Sequence, residues 1–376
     1  MIKDNSQEVF LALVRAGLWE QEVQLLSYGK VDYRDVMRLA EEQSVVGLVT
    51  AGLEHVSDVE VPQMELLSFI GATLQIEESN KDMNCFVGEL MKELREAEIT
   101  ALLLKGQGIA QCYERSLWRT NGDVDLLLDE QNYQKAKEVL GQRVSHENRE
   151  GLYNLHQAMT IDGWEVELHG TMRTDLGRRI DNELDSVHSA CFRNKEFRLW
   201  ENAGEAVPLP SPDDDVVFVF THILQHFFKG GIGLRQICDW CRLLWTYREQ
   251  LDLRLLESRL KQMGLITEWM AFGTFAIEWL RMPEESMPLV GAKIQDTRFK
   301  RKSLRIMRLV METGNFGHNR DASYHEKYPF LVYKAISLWQ TTKDSLRHFL
   351  IFPKDAVRIW WKMLVSGMGR AAKGIT

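Results

Sequence analysis

Asp123 and Asp125 stand one residue apart at the head of the apolar run DVDLLL, inside the longer stretch LLLKGQGIAQCYERSLWRTNGDVDLLLDE, residues 102–130. Alternate side chains of a strand share a face, so a strand here points both carboxylates one way and Val124 and Leu126 the other. Like charges this close repel, and burying them unpaired is costly. A divalent cation removes both difficulties. Mg2+ takes oxygen ligands, commonly one or two carboxylates together with substrate phosphates. A pair of such ions can clamp the attacking and leaving oxygens of an in-line phosphoryl displacement. Without a cation the two charges work against folding, so removing both is expected to leave the fold intact or slightly more stable.

A third acid is needed to hold a second ion or to act as a base. The stretch WEVELHG places Glu165 and Glu167 on one strand face, with Val166 and Leu168 opposite. Glu167 is the candidate ligand, and Glu165 reads as its solvated neighbour. His169 either contacts a phosphate or caps the strand. A triphosphate also needs a grip. In KGQGIAQCY, Gly106 and Gly108 follow an apolar run and open a short helix, where backbone N–H groups can approach an anion. Lys105, Arg115 and Arg119 are the nearby cations. The Walker A order is absent.

This order of Gly turn, Asp-x-Asp and later acid resembles the nucleotidyltransferase superfamily that includes DNA polymerase β and kanamycin nucleotidyltransferase. More closely, LLLKGQGIAQCYERSLWRTNGDVDLLLD followed by VELHG is similar to the bacterial family of uncharacterised nucleotidyltransferases. The resemblance implies that Gly106 marks the phosphate turn, Asp123 and Asp125 the metal pair and Glu167 the third acid. It also implies Mg2+ or Mn2+ as cofactor. The reaction it implies is transfer of a nucleoside monophosphate from a nucleoside triphosphate, ATP first among them, to a small-molecule, peptide or protein acceptor. Relatives place an acid of a C-terminal helical domain against the acceptor as a base, and Asp239, in HFFKGGIGLRQICDW with Lys229 and Arg235, is the candidate. The superfamily turn is usually Gly-Gly or Gly-Ser, where this chain has Lys-Gly-Gln. Two other functions stay open at this point: a catalytically inactive nucleotide-sensing or partner-binding protein of the same fold, and a nucleic-acid-directed transferase.

The elements that must position these groups follow from periodicity. Residues 6–98 space apolar side chains at three and four, and the stretch from Val61 to Ile99 is one long helix or two. ITALLLKG and GDVDLLLD read as strands, QNYQKAKEVLGQR as a helix, and QAMTIDGWEVELHG as a hairpin around Asp162-Gly163. From Arg178 helical periodicity returns, with Ser211 or Asp213 capping SPDDDVVFVFTHILQHFF. A polar loop is expected near 313–325. The fold class is therefore α+β: a small nucleotidyltransferase α/β unit with a mixed sheet, flanked by mainly helical regions. The expected divisions are 1–98 (helical), 99–175 (catalytic core), 176–312 (helical, acceptor-facing) and 313–376 (basic closing helices).

His222 and His226 sit at i, i+4, a zinc-pair spacing, but without the H-E-x-x-H base they read as neutral helix-face histidines. Cys238-x-x-Cys241 lacks a second pair and reads as core thiols. The five cysteines are odd in number and scattered, as in a cytosolic, reduced protein, and MIKDNSQEVF lacks a signal pattern, so the expected location is the cytoplasm. The chain's net charge is −8, but residues 298–376 carry 16 Lys and Arg against 5 Asp and Glu, a net of +11, which leaves −19 for the rest. This basic end meets either an anionic partner or the chain's own acidic body. The overall charge and the lack of a recognisable module argue against nucleic acid. Peripheral membrane contact through RIWWKML is weighed as the lesser alternative to packing against neighbouring helices.

Overall fold

The computed structural model describes residues 5–372, apart from 149, 152, 318 and 320–329. Helices α1 (Ser6–Trp19), α2 (Tyr33–Glu42) and α3 (Val46–Glu54) lead into one unbroken helix, α4 (Gln63–Glu96). Of the two expectations for this stretch the single helix holds, because it has no internal proline and one apolar seam. Phe69, Thr73, Asn80, Met83, Val87, Leu90 and Leu94, spaced at three, four and seven, are its buried side.

The chain then builds a five-stranded mixed sheet from β1 (Ala101–Leu104), β2 (Val124–Leu128), β3 (Val144–Glu147), β4 (His156–Ile161) and β5 (Trp164–His169), in the order β1-β2-β5-β4-β3. Only β2 and β5 run parallel. The short α5 (Gly106–Ala110) and α6 (Glu130–Leu140) lie between strands. The expected hairpin forms: Asp162 and Gly163 both have positive φ (50° and 88°), the backbone a two-residue turn requires, and Ile161 pairs with Trp164. Alternation splits the sheet between two cores. Leu103, Val124, Leu126, Leu128, Val166 and Leu168 pack with α4 and α6 residues such as Met83, Leu90 and Tyr133. Leu102, Leu104 and Leu127 face the larger helical core. Asp125 lies on that second face, between the sheet and the later helices.

Those helices are α7 (Arg178–Asn194), α8 (Pro212–Lys229), α9 (Leu234–Tyr247), α10 (Leu253–Met263), α11 (Ile266–Leu280) and α12 (Thr297–Thr313), followed by Phe330–Phe349 and Pro353–Ala372. Ser211 caps α8, its side chain accepting from the Asp214 amide. The loop expected near 313–325 falls mostly outside the described residues. The expectation of helix from Arg178 onward is corrected at one place: β6 (Arg198–Asn202) and β7 (Glu205–Leu209) form a second hairpin. Ala203 and Gly204 turn it with positive φ (51° and 87°), as Asp162 and Gly163 do in the first. Among the described residues no helix is long and apolar enough to cross a membrane.

One buried acid couples the last helix to the body. Glu268 of α11 hydrogen-bonds Asp355, and burial first, then the Asp355 charge, pushes its carboxyl up to about 8. An unfolded glutamate titrates near about 4.3. Between those values the folded chain holds a proton that the unfolded chain has released, so this contribution is complete at low pH and is lost as pH rises through the window. Glu268→Gln is therefore expected to flatten the fall in stability between about pH 4.5 and 8, an effect on the order of 2–4 kcal/mol. Urea unfolding of both proteins across that range reads it, and parallel pH profiles would refute it.

Candidate active site

Strand register gathers the chemistry. In the parallel pair β2–β5, Asp125 lies opposite Glu167. Across the hairpin, His156 lies opposite His169. With the alternation of β4 and β5, this sets Asp125, Glu167, His169 and His156 on one face. Asp123 sits just before β2. One donor atom from each of Asp123, Asp125 and Glu167 can be chosen so that all lie within 4.8 Å of one another, and the same is true of His156, Glu167 and His169.

Asp125 is 1% exposed. Its Oδ1 accepts from the Lys105 ammonium at 2.9 Å and meets His169 Nε2 at 2.8 Å, while its Oδ2 is buried with no hydrogen-bond partner. Lys105 precedes Gly106 in a tight reversal, both with positive φ (48° and 37°), which swings its side chain back over the sheet face. The ammonium also lies 3.1 Å from His222 Nε2 of α8. Asp123 and Asp125 repel each other as their spacing suggests, but the expectation that removing both leaves stability unchanged or higher is corrected, because Asp125 also holds Lys105 and His169.

The electrostatics follow. The Asp125 charge, then burial, raises the Asp123 carboxyl. Burial opposes ionisation of Glu167, but hydrogen bonds from His156 and His169 outweigh it and hold Glu167 well below the ordinary range. Burial disfavours the charge on Lys105, and the carboxylates of Asp125, Asp123 and Glu167 together more than restore it. His222 is driven far down by burial and Lys105, and His226, 3.0 Å from it, down to about 4. Both shifts favour the neutral imidazole.

The sheet face forms one wall of a cleft of about 250 Å³. Phe218, His222 and His226 of α8 and Arg235, Gln236 and Asp239 of α9 form the wall opposite, and the 171–174 segment closes one side. Between α5 and β2 the chain is pinned from two directions. Fully buried Asn80 donates to the carbonyls of Leu117 (2.7 Å) and Arg119 (2.8 Å). Arg235 donates to those of Thr120 (3.1 Å) and Asn121 (3.2 Å). Burial, then the Arg119 charge, lowers Arg235 to about 10. These contacts hold Asp123 at the mouth of β2.

The residues singled out from sequence separate into two groups. Lys105, Gly106, Arg119, Asp123, Asp125, Glu167 and Asp239 line the cleft. Arg115 does not: it pairs with Glu54 and stacks over Trp118, 4.3 Å from the ring. Gly108 does not line the cleft either, and a Cβ there would meet Leu209 Cδ2 at 2.8 Å. Asp239 is not poised as a base. Both its oxygens accept from Arg119, at 2.8 Å each, and Tyr113 donates to it at 2.9 Å, all with little solvent. Glu165 is exposed. Lys229 donates to the Thr174 carbonyl, and Cys238 and Cys241 are core thiols. Sequence reasoning missed His156 and Asn80. His156 carried a signal: a two-residue turn at Asp162-Gly163 fixes the pairing outward, and five pairs beyond Ile161 and Trp164 it reaches His156 opposite His169. Nothing local marks Asn80.

The donor set fits a divalent cation. Three carboxylates converge, and the buried Asp125 Oδ2 lacks the partner that a buried carboxylate oxygen requires.

A protein-family model described as "Uncharacterised nucleotidyltransferase" matches residues 29–281, well over half of the chain and all of the five-stranded sheet. No curated protein and no solved structure matches the chain.

Proposed function

This chain belongs to the uncharacterised nucleotidyltransferase family, and from that premise we propose that it moves a nucleoside monophosphate from a nucleoside triphosphate, ATP first, to an acceptor hydroxyl or phosphate, releasing pyrophosphate. The observation that carries this reading is the convergence of Asp123, Asp125 and Glu167 on one sheet face, with a partnerless buried oxygen on Asp125, beneath a cleft rimmed by Lys105 and Gly106. The three acids would hold Mg2+ or Mn2+, whose charge offsets that developing on the phosphates. Lys105, next to the Gly106 reversal and 2.9 Å from Asp125, would take the triphosphate with its ammonium. Gly106 lets the backbone come close to that anion. Arg119 and Asp239 act as a buried brace behind the site. The segment 99–175 is the catalytic core, and the helices of 176–312 supply the acceptor side of the cleft. Most of the catalysis is positioning and electrostatics, as in phosphoryl transfer generally.

The test is incubation with labelled nucleoside triphosphates, Mg2+ or Mn2+ and a lysate, followed by mass spectrometry of whatever gains a nucleotide. The expected result is a labelled acceptor with the native protein and none with Asp123→Asn. Tight nucleotide binding without transfer to any acceptor would instead favour a nucleotide-sensing protein.

Lys105→Met is expected to weaken binding of the Mg-nucleotide about tenfold to a hundredfold, since a charge-assisted contact to phosphate is worth about 1.5–3 kcal/mol. Stability of the metal-free protein falls too, because Asp125 keeps only His169, and Mg2+ restores part of it. Calorimetry gives the affinity and urea unfolding the stability. Equal dissociation constants for the two proteins would remove Lys105 from the nucleotide site.

A further inference from the structure

The cleft holds a second donor set with a different chemistry. His156 Nε2 lies 3.0 Å and His169 Nε2 3.5 Å from the same atom, Glu167 Oε2. The two histidines are a directly opposed pair of the β4–β5 hairpin, with ring centroids 4.8 Å apart, and Glu167 is two residues from His169 on the same strand face. All three side chains are half-buried and line the cleft. Beside them His169 Nε2 touches Asp125 Oδ1, whose companion Oδ2 is buried without a partner.

We propose that His156, Glu167 and His169 form a site for a borderline transition-metal dication of the Zn2+ type, with an open coordination position facing the cleft and with Glu167 shared with the acidic set.

Ligand chemistry makes the case. Two imidazoles and one carboxylate suit zinc and its neighbours, whereas Mg2+ selects oxygens. A His2Glu set that leaves a position open is a known composition of catalytic zinc sites. The spacing fits as well. Metal bonds of about 2.1 Å set neighbouring ligand atoms about 3.0–3.4 Å apart in octahedral or tetrahedral geometry, close to the 3.0 and 3.5 Å from Glu167 to the two imidazoles, and all three donor atoms lie within 4.8 Å of one another. The hairpin supplies preorganisation, because both imidazoles stand on paired strands rather than on loops. The open position faces the cavity where the proposed nucleotide and acceptor meet, so a phosphate or acceptor oxygen would be the fourth ligand. This deepens the nucleotidyl-transfer reading and rests on it for the neighbouring acidic set. The half of the site holding the two histidines would then bind a different metal from the half holding the two aspartates.

The probe is the metal alone, with no nucleotide. Zn2+ affinity is measured by competition with a chromophoric chelator, and Co2+ is added to read imidazole coordination from its visible absorption. The native protein is expected to bind one Zn2+ and to give a Co2+ spectrum with nitrogen ligation. His156→Ala should weaken Zn2+ at least about a hundredfold, whereas Asp123→Asn should leave Zn2+ affinity within about threefold. If His156→Ala melts lower than the native chain without metal, His156→Gln replaces it, and nitrogen NMR of the native imidazoles with and without Zn2+ gives an independent reading. The inference is overturned if the native protein binds no Zn2+, if the His156 variants bind it as tightly as the native chain, or if Asp123→Asn loses as much as they do. Transfer is scored separately, with Mg2+ or Mn2+ and with Zn2+ both present and absent. Its absence in every combination overturns the nucleotidyl-transfer reading, while the metal titration alone decides this one.

Discussion

Asp125→Asn is expected to destabilise the metal-free protein by about 3 kcal/mol, while Asp123→Asn changes it by less than about 1 kcal/mol, in the stabilising direction, although both stop nucleotidyl transfer. The two aspartates share a motif and differ in their surroundings. Asp125 is buried against the Lys105 ammonium and His169, so losing its charge leaves a cation with little solvent and a poorer partner. Breaking one side of a buried ion pair typically costs about 3–5 kcal/mol. The low end applies here because Asp123 and Glu167 also attract Lys105. The Asp123 carboxyl is raised chiefly by the Asp125 charge, so neutralising it relieves repulsion. In the transfer assay either change should cost about a hundredfold to a thousandfold or more, the scale of losing one preorganised electrostatic group. Equal losses of stability in the two variants would show that Asp123 is also structural. Undiminished transfer in either would put the chemistry elsewhere.

The second large effect concerns Arg119 and Asp239. Their two-pronged, nearly solvent-free pair makes Arg119→Met cost about 3–5 kcal/mol of stability. Asp239→Leu should cost more. It leaves Arg119 and Arg235, two buried guanidiniums that repel each other, without the carboxylate both rely on, and it strips Tyr113 of its acceptor. The double variant Arg119→Met with Asp239→Leu should recover the part of the loss that comes from the stranded Arg119 charge, since replacing a whole buried pair by apolar groups is often neutral, while Arg235 and Tyr113 still lack the carboxylate. Urea unfolding of the four proteins makes the cycle. Single losses below about 1 kcal/mol would mean that the pair is not the brace described. Unchanged stability with abolished transfer in Asp239→Asn would return Asp239 to the role of acceptor base.

Much of the site was legible because its rules are local. Period-two alternation sets Val124 and Leu126 against the aspartates, and Val166 and Leu168 against Glu167. A favoured turn at Asp162-Gly163 predicted the hairpin. Resemblance to a family then ordered those pieces into a reaction class. Other elements escaped for equally local reasons. β3 is an edge strand, mostly exposed, with no apolar face to announce it. β6 and β7 are short, with buried positions shared between apolar and polar residues such as Val207 and Asn202, so their alternation is faint.

What the sequence by itself determined, then, are the covalently near relations: which carboxylates share a strand face, where the chain reverses, and which stretches are helices. Only the tertiary structure decided which cation meets which acid. Lys105, Arg115 and Arg119 lie within fifteen residues and look alike in sequence. Folding sends the first to Asp125, the second to Glu54 on the outer surface, and the third to Asp239 on a helix more than a hundred residues later. A long flexible side chain carries no periodicity that reveals its partner. Its place is set by burial and by the packing of α4, α8 and α9 around the sheet, because a charge removed from water must find its counter-charge wherever the fold has brought one.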